Sequence, residues 1–435
     1  MINRRQFVSG VSLPIGAAAI PGVAFSADIG RTISVMGELV MTVGSAAEIA
    51  RDEDFWFQVR SEFTAENSLT NLQSGGVSPS PRVVQDAMKR YLDYSNTVPT
   101  YTMWEVLEPQ EENVRARLAR QWEVDTEEIA ITRGASEGLQ ICQNGMDFEP
   151  GDEVLTTNQD YVRMIWTYQQ MQRRNGIVLK EISIPTPAED PAEIVRLFGD
   201  NITSRTRVIL MCHMINLSGQ ILPVREVADM AHSHGLPLIV DGAHSLAHFD
   251  FKISDLNCDY FATSLHKWLF APHGSGLLYV QKDRIRDLWA MQAPPDELNG
   301  DIRKFEEIGT RPVANAIAIG DALTFHQGLG PQRKEARLLY LRDYWMNRLK
   351  QQDRIHWNTS QKSGMSCGIG NFDIPGVDLK TMNQWLFDQH GIVTHVTEHP
   401  EYTGFRVTPS VFTTLEELDR FCDAIEHGIR TDIGA

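Results

Sequence analysis

Leu238-Ile-Val-Asp-Gly-Ala-His244 and, a little further on, Tyr260-Phe-Ala-Thr-Ser-Leu-His-Lys-Trp268 decide how this chain is read. Each stretch opens on a short apolar run and closes on polar groups able to do chemistry. A short apolar run without polar alternation suits a strand buried on both faces of a parallel sheet. The same rhythm recurs outward from this pair. Ile129–Thr132, Glu153–Thr157, Val178–Ile184, Arg207–His213 and Gly276–Val280 read as strands. Ala135–Met146, Val162–Arg174 and Arg225–His234 carry helical spacing between them. Strands alternating with helices predict an α/β architecture with a mostly parallel sheet covered on both faces. Ligands of such sheets gather beyond the carboxyl ends of the strands.

The residues directly after each strand are therefore the candidates for function. Asp241 and His244 follow Leu238–Val240, and Ser264, His266 and Lys267 follow Tyr260–Thr263. Gly134-Ala135-Ser136 follows Ile129–Thr132 and opens a helix. Tyr161 comes after Glu153–Thr157, and Asn216 after Arg207–His213. A lysine beside Ser and His can form an imine with an aldehyde cofactor. Backbone N–H groups and a hydroxyl at a helix start suit a phosphate. An aspartate at a strand end can pair with a protonated pyridine nitrogen and so make a ring an electron sink. An aromatic such as Tyr161 can stack on that ring. Each feature alone has a plain structural reading, a surface lysine or an Asp-Gly turn. Their joint spacing makes the set specific.

The rest of the chain bounds the possibilities. With 57 acidic and 40 basic residues the formal charge is −17. That balance argues against nucleic acid or an anionic membrane surface as the main partner. The five cysteines, Cys142, Cys212, Cys258, Cys367 and Cys422, are widely spread and form neither a disulfide framework nor a metal-ligand ladder. Near the start, Arg4-Arg5, Phe7, a mild apolar stretch from Val11 to Phe25 and Ala24-Phe25-Ser26 resemble a twin-arginine signal. Export to the periplasm is expected, with a mature chain beginning near Ala27. No other stretch is long and apolar enough to span a membrane. The last third changes character. Arg333–Gln351 is helical, and Cys367–Phe372, Val393–Val396 and Phe405–Val407 read as strands around a helix at Leu379–His390. The chain thus divides into a signal at 1–26, an N-terminal segment at 27–70, a large domain at 71–324 and a smaller α+β domain at 325–435.

Val240-Asp-Gly-Ala-His244 and Thr263-Ser-Leu-His-Lys-Trp268 resemble the two central motifs of the class V aminotransferase group of fold-type I pyridoxal-phosphate (PLP) enzymes. The resemblance runs from about Asn71 to Phe421. It implies the fold-type I architecture, a large domain around a mostly parallel, seven-stranded-type sheet plus a smaller C-terminal α+β domain. It implies PLP as cofactor, Lys267 as its Schiff-base lysine and Asp241 as the partner of the pyridine nitrogen. It places Gly134, Ala135, Ser136, Ser264 and His266 around the phosphate. Asn216 falls near the ring hydroxyl, and His244 where many relatives carry Gln. Tyr161 takes the stacking position. Glu306-Glu-Ile-Gly309-Thr310 resembles the segment that reaches the partner subunit's phosphate, which implies a homodimer. Arg406 in Gly404-Phe-Arg-Val-Thr-Pro falls where relatives grip a substrate carboxylate, a task that suits a guanidinium fork. Its other reading is a structural salt bridge. Asn71-Leu-Gln-Ser-Gly-Gly76 and Tyr101-Thr-Met-Trp104 resemble segments on the substrate side, with turn and core as their other reading.

Several reactions fit such a site, because the protein chooses among the bonds at Cα by orientation and by its acids and bases. Asp-Gly-Ala-His and Gly219-Gln-Ile-Leu-Pro223 resemble the isopenicillin N epimerase-like branch, so epimerase, racemase or aminotransferase-like chemistry comes first. A lyase is the second reading. Cysteine desulfurase activity is disfavoured, because Gly391–Phe405 lacks a cysteine and Cys367 lies upstream in an expected strand. The third is a periplasmic enzyme that tailors a larger secreted metabolite, a reading motivated by the signal alone. Outside enzymology stands a periplasmic metal- or ligand-binding protein, drawn from His232, His234, His244 and His248. Their spacing is not that of a metal site: His232 and His234 face different sides of a helix, and Ala247–Phe251 looks extended.

Overall fold

Successive side chains of a strand point to opposite faces of its sheet, and in this protein both faces are apolar. The computed structural model describes residues 41–434 together with Gly37. The expected signal at 1–26 lies outside the described residues. After a short strand β1 (Thr70–Asn71), seven strands build the main sheet. They are β2 (Ile129–Thr132), β3 (Glu153–Thr157), β4 (Val178–Ile182), β5 (Thr206–Cys212), β6 (Leu238–Asp241), β7 (Tyr260–Ser264) and β8 (Gly276–Val280). Their order across the sheet is β2-β8-β7-β6-β5-β3-β4. Only β8 runs against its neighbours, pairing antiparallel with both β2 and β7. The other pairings are parallel. The six remaining strands therefore all end on one edge.

The strands alternate between two cores. Ile209, Met211, Leu238, Val240, Phe261 and Leu277 pack on one face. Val208, Leu210, Ile239, Tyr260, Ala262 and Leu278 pack on the other. The helix Ala135–Gly145 lies against β7 at close range, since a Cβ on Gly138 would stand 2.8 Å from the Cβ of Ala262. That approach brings the N-terminus of the helix to the edge where Ser264 ends its strand.

The smaller domain has its own core around Trp345, Phe372, Phe405 and Phe421. Strands β9 (His356–Trp357), β10 (Gly370–Asp373), β12 (His395–His399) and β13 (Tyr402–Val407) form an antiparallel sheet in the order β12-β13-β10-β9. The helices Pro331–Leu349, Leu379–His390 and Leu415–Arg430 complete it. Here the structure moves some expected boundaries. The helix Val313–Leu329 runs through residue 325, and the backbone turns only at Gly330, φ 85°. β11 (Ile392–Val393) pairs in parallel with β1, and Leu72 enters the small-domain core. Arg60 binds Glu417 at 3.0 Å and Glu53 binds Arg337 at 2.6 Å. The N-terminal segment is thus tied to the C-terminal domain by ion pairs, while its Phe55, Trp56, Val59 and Phe63 pack in the core that holds Val240 and Phe261. Cys367 lies in the loop before β10 rather than in a strand, and residues 243–248 form turns rather than extended chain, with Ala247 at φ 62°.

Candidate active site

The common edge of the parallel strands gathers most of the candidates. Asp241 closes β6, fully enclosed, and its Oδ1 accepts from the N–H of Ala243 at 2.9 Å. Burial pushes its carboxyl up to about 6, opposed by that N–H and by Lys267 and reinforced by the nearby Asp160 carboxylate. Lys267 follows β7, and its Nζ stands 2.9 Å from His244 Nε2. Burial lowers the amine to about 8; Asp241 acts against this, and the positive Arg406 adds to it. Burial also holds His244 well below the usual histidine range, so its ring is neutral. A protonated Lys267 then donates to Nε2 and the ring proton sits on Nδ1, a buried atom with no partner among the described residues.

The phosphate end of the cradle has a matching geometry. Ser264 Oγ accepts from the N–H of Ala135 at 3.0 Å, and a Cβ on Gly134 would lie 3.5 Å from both Ser264 Oγ and His266 Cε1. His266 Nδ1 donates to the Ser275 carbonyl at 3.1 Å, which leaves Nε2 free of that bond. Ser136 is exposed on the first turn of the helix. A helix N-terminus with a serine hydroxyl and an imidazole beside it forms an anion site.

Arg406 enters from β13 of the small domain. Its Nη1 donates to the Asn216 carbonyl at 3.0 Å and its Nη2 to Gln73 Oε1 at 3.1 Å. Its buried Nε has no partner among the described residues. Among the described residues no carboxylate pairs with this guanidinium, so the salt-bridge reading of Arg406 fails. Burial lowers it to about 10, with only Tyr161 pulling the other way. A 6 % exposed guanidinium held by neutral oxygens suits a carboxylate, which a planar fork binds bidentately. Asn216 Oδ1 is also buried without a partner. Tyr161, half-buried, precedes the helix Val162–Asn175.

Two expected residues stand apart. Asn71 Oδ1 caps its own turn by accepting from Gln73 N–H at 2.9 Å, and it is Gln73 that touches Arg406. Thr310 and Gly309 are exposed. They hang between two anchors. Glu306 pairs with Arg115 at 2.6 Å and takes the Ile131 N–H, while Arg311 pairs with Glu111 at 2.7 Å. Of the substrate-side segment Tyr101–Trp104, Tyr101 and Trp104 are exposed on a wide helical turn. Asp160 went unread in the sequence. It is buried near enough to raise the Asp241 carboxyl, and its Oδ2 accepts from the Thr156 and Thr157 hydroxyls at 3.0 and 2.7 Å. The Thr-Thr-x-x-Asp spacing at a strand end was its only signal.

Asp241 carries a pH prediction for the cofactor-free protein. Its folded pKa is about 6, above the roughly 3.9 of an unfolded aspartate. The stability from the neutral carboxyl is complete below about pH 4 and lost as pH rises through about 6. At 1.36 kcal/mol per unit the loss is roughly 2–3 kcal/mol. Asp241→Asn removes that loss, so its denaturation midpoint should gain on the wild type between pH 4 and pH 7. An equal difference at both pH values contradicts the assignment.

The set fits pyridoxal phosphate. It offers an amine for the aldehyde, a carboxyl for the ring nitrogen, an anion cradle for the phosphate and unpartnered buried atoms on His244 and Asn216. Comparison with known proteins agrees. The isopenicillin N epimerase of Streptomyces clavuligerus is 26% identical over 388 residues, covering 85% of this chain and 98% of its own. A probable cysteine desulfurase of Halalkalibacterium halodurans is 26% identical over 403 residues, covering 85% and 95%. Among solved structures, a variant of C-DES with glycine covalently linked to its PLP cofactor superposes with a TM-score of 0.76 at 22% identity, covering 84% of this chain and 98% of that one. The cysteine desulfurase of Thermococcus onnurineus gives 0.75 at 21%, covering 87% and 98%. These two likenesses establish the fold alone. Residues 70–419 match the model of the aminotransferase class-V family, and the chain belongs to that family of PLP-dependent enzymes.

Proposed function

We propose that this enzyme labilises the Cα–H bond of an amino acid, or of a metabolite containing one, in epimerase- or aminotransferase-like chemistry. The observation that carries the proposal is the pairing of Lys267 Nζ with neutral His244 Nε2 at 2.9 Å, with a buried Arg406 in the same site that no carboxylate of the described residues pairs. When bound, pyridoxal phosphate supplies an aldehyde for the amine and a sink for the electrons of a breaking Cα bond. The chain's own residues do the rest. Arg406 holds a carboxylate through the fork that Gln73 and Asn216 already orient. Lys267, lowered to about 8, can take or return a proton near neutrality. Neutral His244 accepts the Lys267 hydrogen bond at Nε2 and so steadies the amine, and Asp241 offers a carboxylate to the ring nitrogen.

Desulfurase chemistry is the less supported reading, although several relatives carry that name. It needs a mobile, reactive thiol, and all five cysteines are buried. Burial raises the thiols of Cys142, Cys212, Cys258, Cys367 and Cys422. A lyase without a catalytic thiol is compatible with the same residues. The proposed protein is a homodimer whose anchored Gly309-Thr310 turn reaches its partner's site. It is exported by the Arg4-Arg5 signal and acts in the periplasm, where a secreted metabolite could be its substrate. The test is solvent exchange: PLP-loaded enzyme in deuterium oxide with a panel of amino acids and small peptides. Deuterium should enter Cα of at least one member. Loss of sulfur from cysteine without Cα exchange of any other compound contradicts the proposal.

A further inference from the structure

The small domain touches the lysine-bearing edge through a histidine that lies outside the cofactor cradle. His248 Nε2 accepts from the N–H of Gly368 at 2.9 Å, and His248 Nδ1 lies 2.8 Å from the carbonyl of His244. A backbone N–H can only donate and a carbonyl can only accept, so the ring is neutral and carries its proton on Nδ1. Its face stacks on Trp268, centroids 3.6 Å apart and planes 18° from parallel. Trp268 directly follows Lys267. Its carbonyl accepts from Lys334 Nζ, a buried amine of the small-domain helix that also lies 4.0 Å over Phe270. Gly368 is held in turn by Arg342, whose Nη1 binds Ser366 Oγ at 2.7 Å and the Cys367 carbonyl at 3.1 Å. The approach depends on the glycine: a Cβ there would stand 2.9 Å from His248 Nε2 and 3.1 Å from Leu338 Cβ.

We propose that His248 is a positioning residue that pins the small domain to the His244 peptide and so fixes His244 against Lys267. The inference rests on the function proposed above. The small domain carries Arg406, so the same pin sets the distance between the carboxylate grip and the lysine. Burial pushes His248 down to about 3, in keeping with a ring that stays neutral while it bridges. The competing role is packing alone, a flat side chain under Trp268. Substitutions separate the two. His248→Phe keeps a stacked ring and loses both hydrogen bonds. His248→Asn keeps a donor near Nδ1 for the His244 carbonyl but gives up both the stack and the Gly368 bond.

Two readouts test it. Stopped-flow measurement of the cofactor band of PLP-loaded enzyme, after an amino acid is added, should be about ten-fold or more slower in His248→Phe. The half-saturating concentration should stay within about three-fold, and His248→Asn, which cannot bridge the two segments, should stay as slow as His248→Phe. A His248→Phe or His248→Asn rate equal to wild type overturns the inference. Nitrogen-15 NMR of histidine-labelled protein decides the matter even if a variant does not fold. His248 must show protonated Nδ1 with no titration between pH 6 and 8; a protonated Nε2 or a titration in that range overturns it. If wild type shows no cofactor band at all, the function proposed above fails. A normal wild-type response with an unaffected His248→Phe fails this inference alone.

Discussion

Lys267→Ala is expected to abolish the covalent attachment of pyridoxal phosphate and to reduce turnover by about 10²–10⁴-fold, the range lost with a positioned acid–base group. The variant should fold. Lys267 is a buried amine lowered to about 8 by its surroundings, and removing a charge that is costly to bury does not take away a large stabilising contact. The substitution leaves His244 Nε2 without its 2.9 Å partner and Asp241 without the positive charge that moderates its pKa. Non-covalent cofactor can still enter, because the Ala135, Ser264 and His266 cradle is untouched. The check is borohydride treatment followed by absorbance and a turnover assay. Colour that survives denaturation in the reduced variant contradicts the expectation.

Arg406→Ala should weaken amino-acid binding by about 10²–10³-fold, because truncating a buried charged partner costs roughly 2–5 kcal/mol and each 1.4 kcal/mol is ten-fold. The cofactor spectrum should stay as in wild type, since Arg406 bonds Asn216 and Gln73 and no residue of the anion cradle. Arg406→Lys should recover only part of the loss, because an ammonium cannot reproduce the bidentate fork. A spectral titration with one responding amino acid checks both variants. Loss of cofactor from Arg406→Ala would assign the arginine a structural task instead.

The large domain was legible because its strands are apolar on both faces. Leu238-Ile-Val and Tyr260-Phe-Ala have no polar alternation, so they belong in the middle of a covered sheet, and the residues directly after them must lie at its edge. That one inference locates Asp241, His244, Ser264, His266 and Lys267 together. The antiparallel course of β8 had no such signal, since its side chains pack as those of a parallel strand would. Arg406 was found by resemblance, but its neutral partners were not, because Gln73 lies 333 residues away in sequence. His248 read as one of a loose group of histidines. Its task depends on Gly368 approaching from another domain, and nothing local encodes that contact. The helix Val313–Leu329 crosses the expected boundary near 325. A change of composition marks where residues differ, whereas the helix Val313–Leu329 ends where Gly330 lets the backbone turn.

The central claim is that Lys267 is the cofactor-bearing lysine of a PLP-dependent enzyme. Peptide mapping after borohydride reduction of the wild-type, PLP-loaded protein tests it most directly. The account predicts a single pyridoxyl-modified peptide containing Ser264-Leu-His-Lys267-Trp268. Modification on another lysine, such as the buried Lys304 or Lys334, or an unmodified Lys267 in a coloured protein, would contradict it.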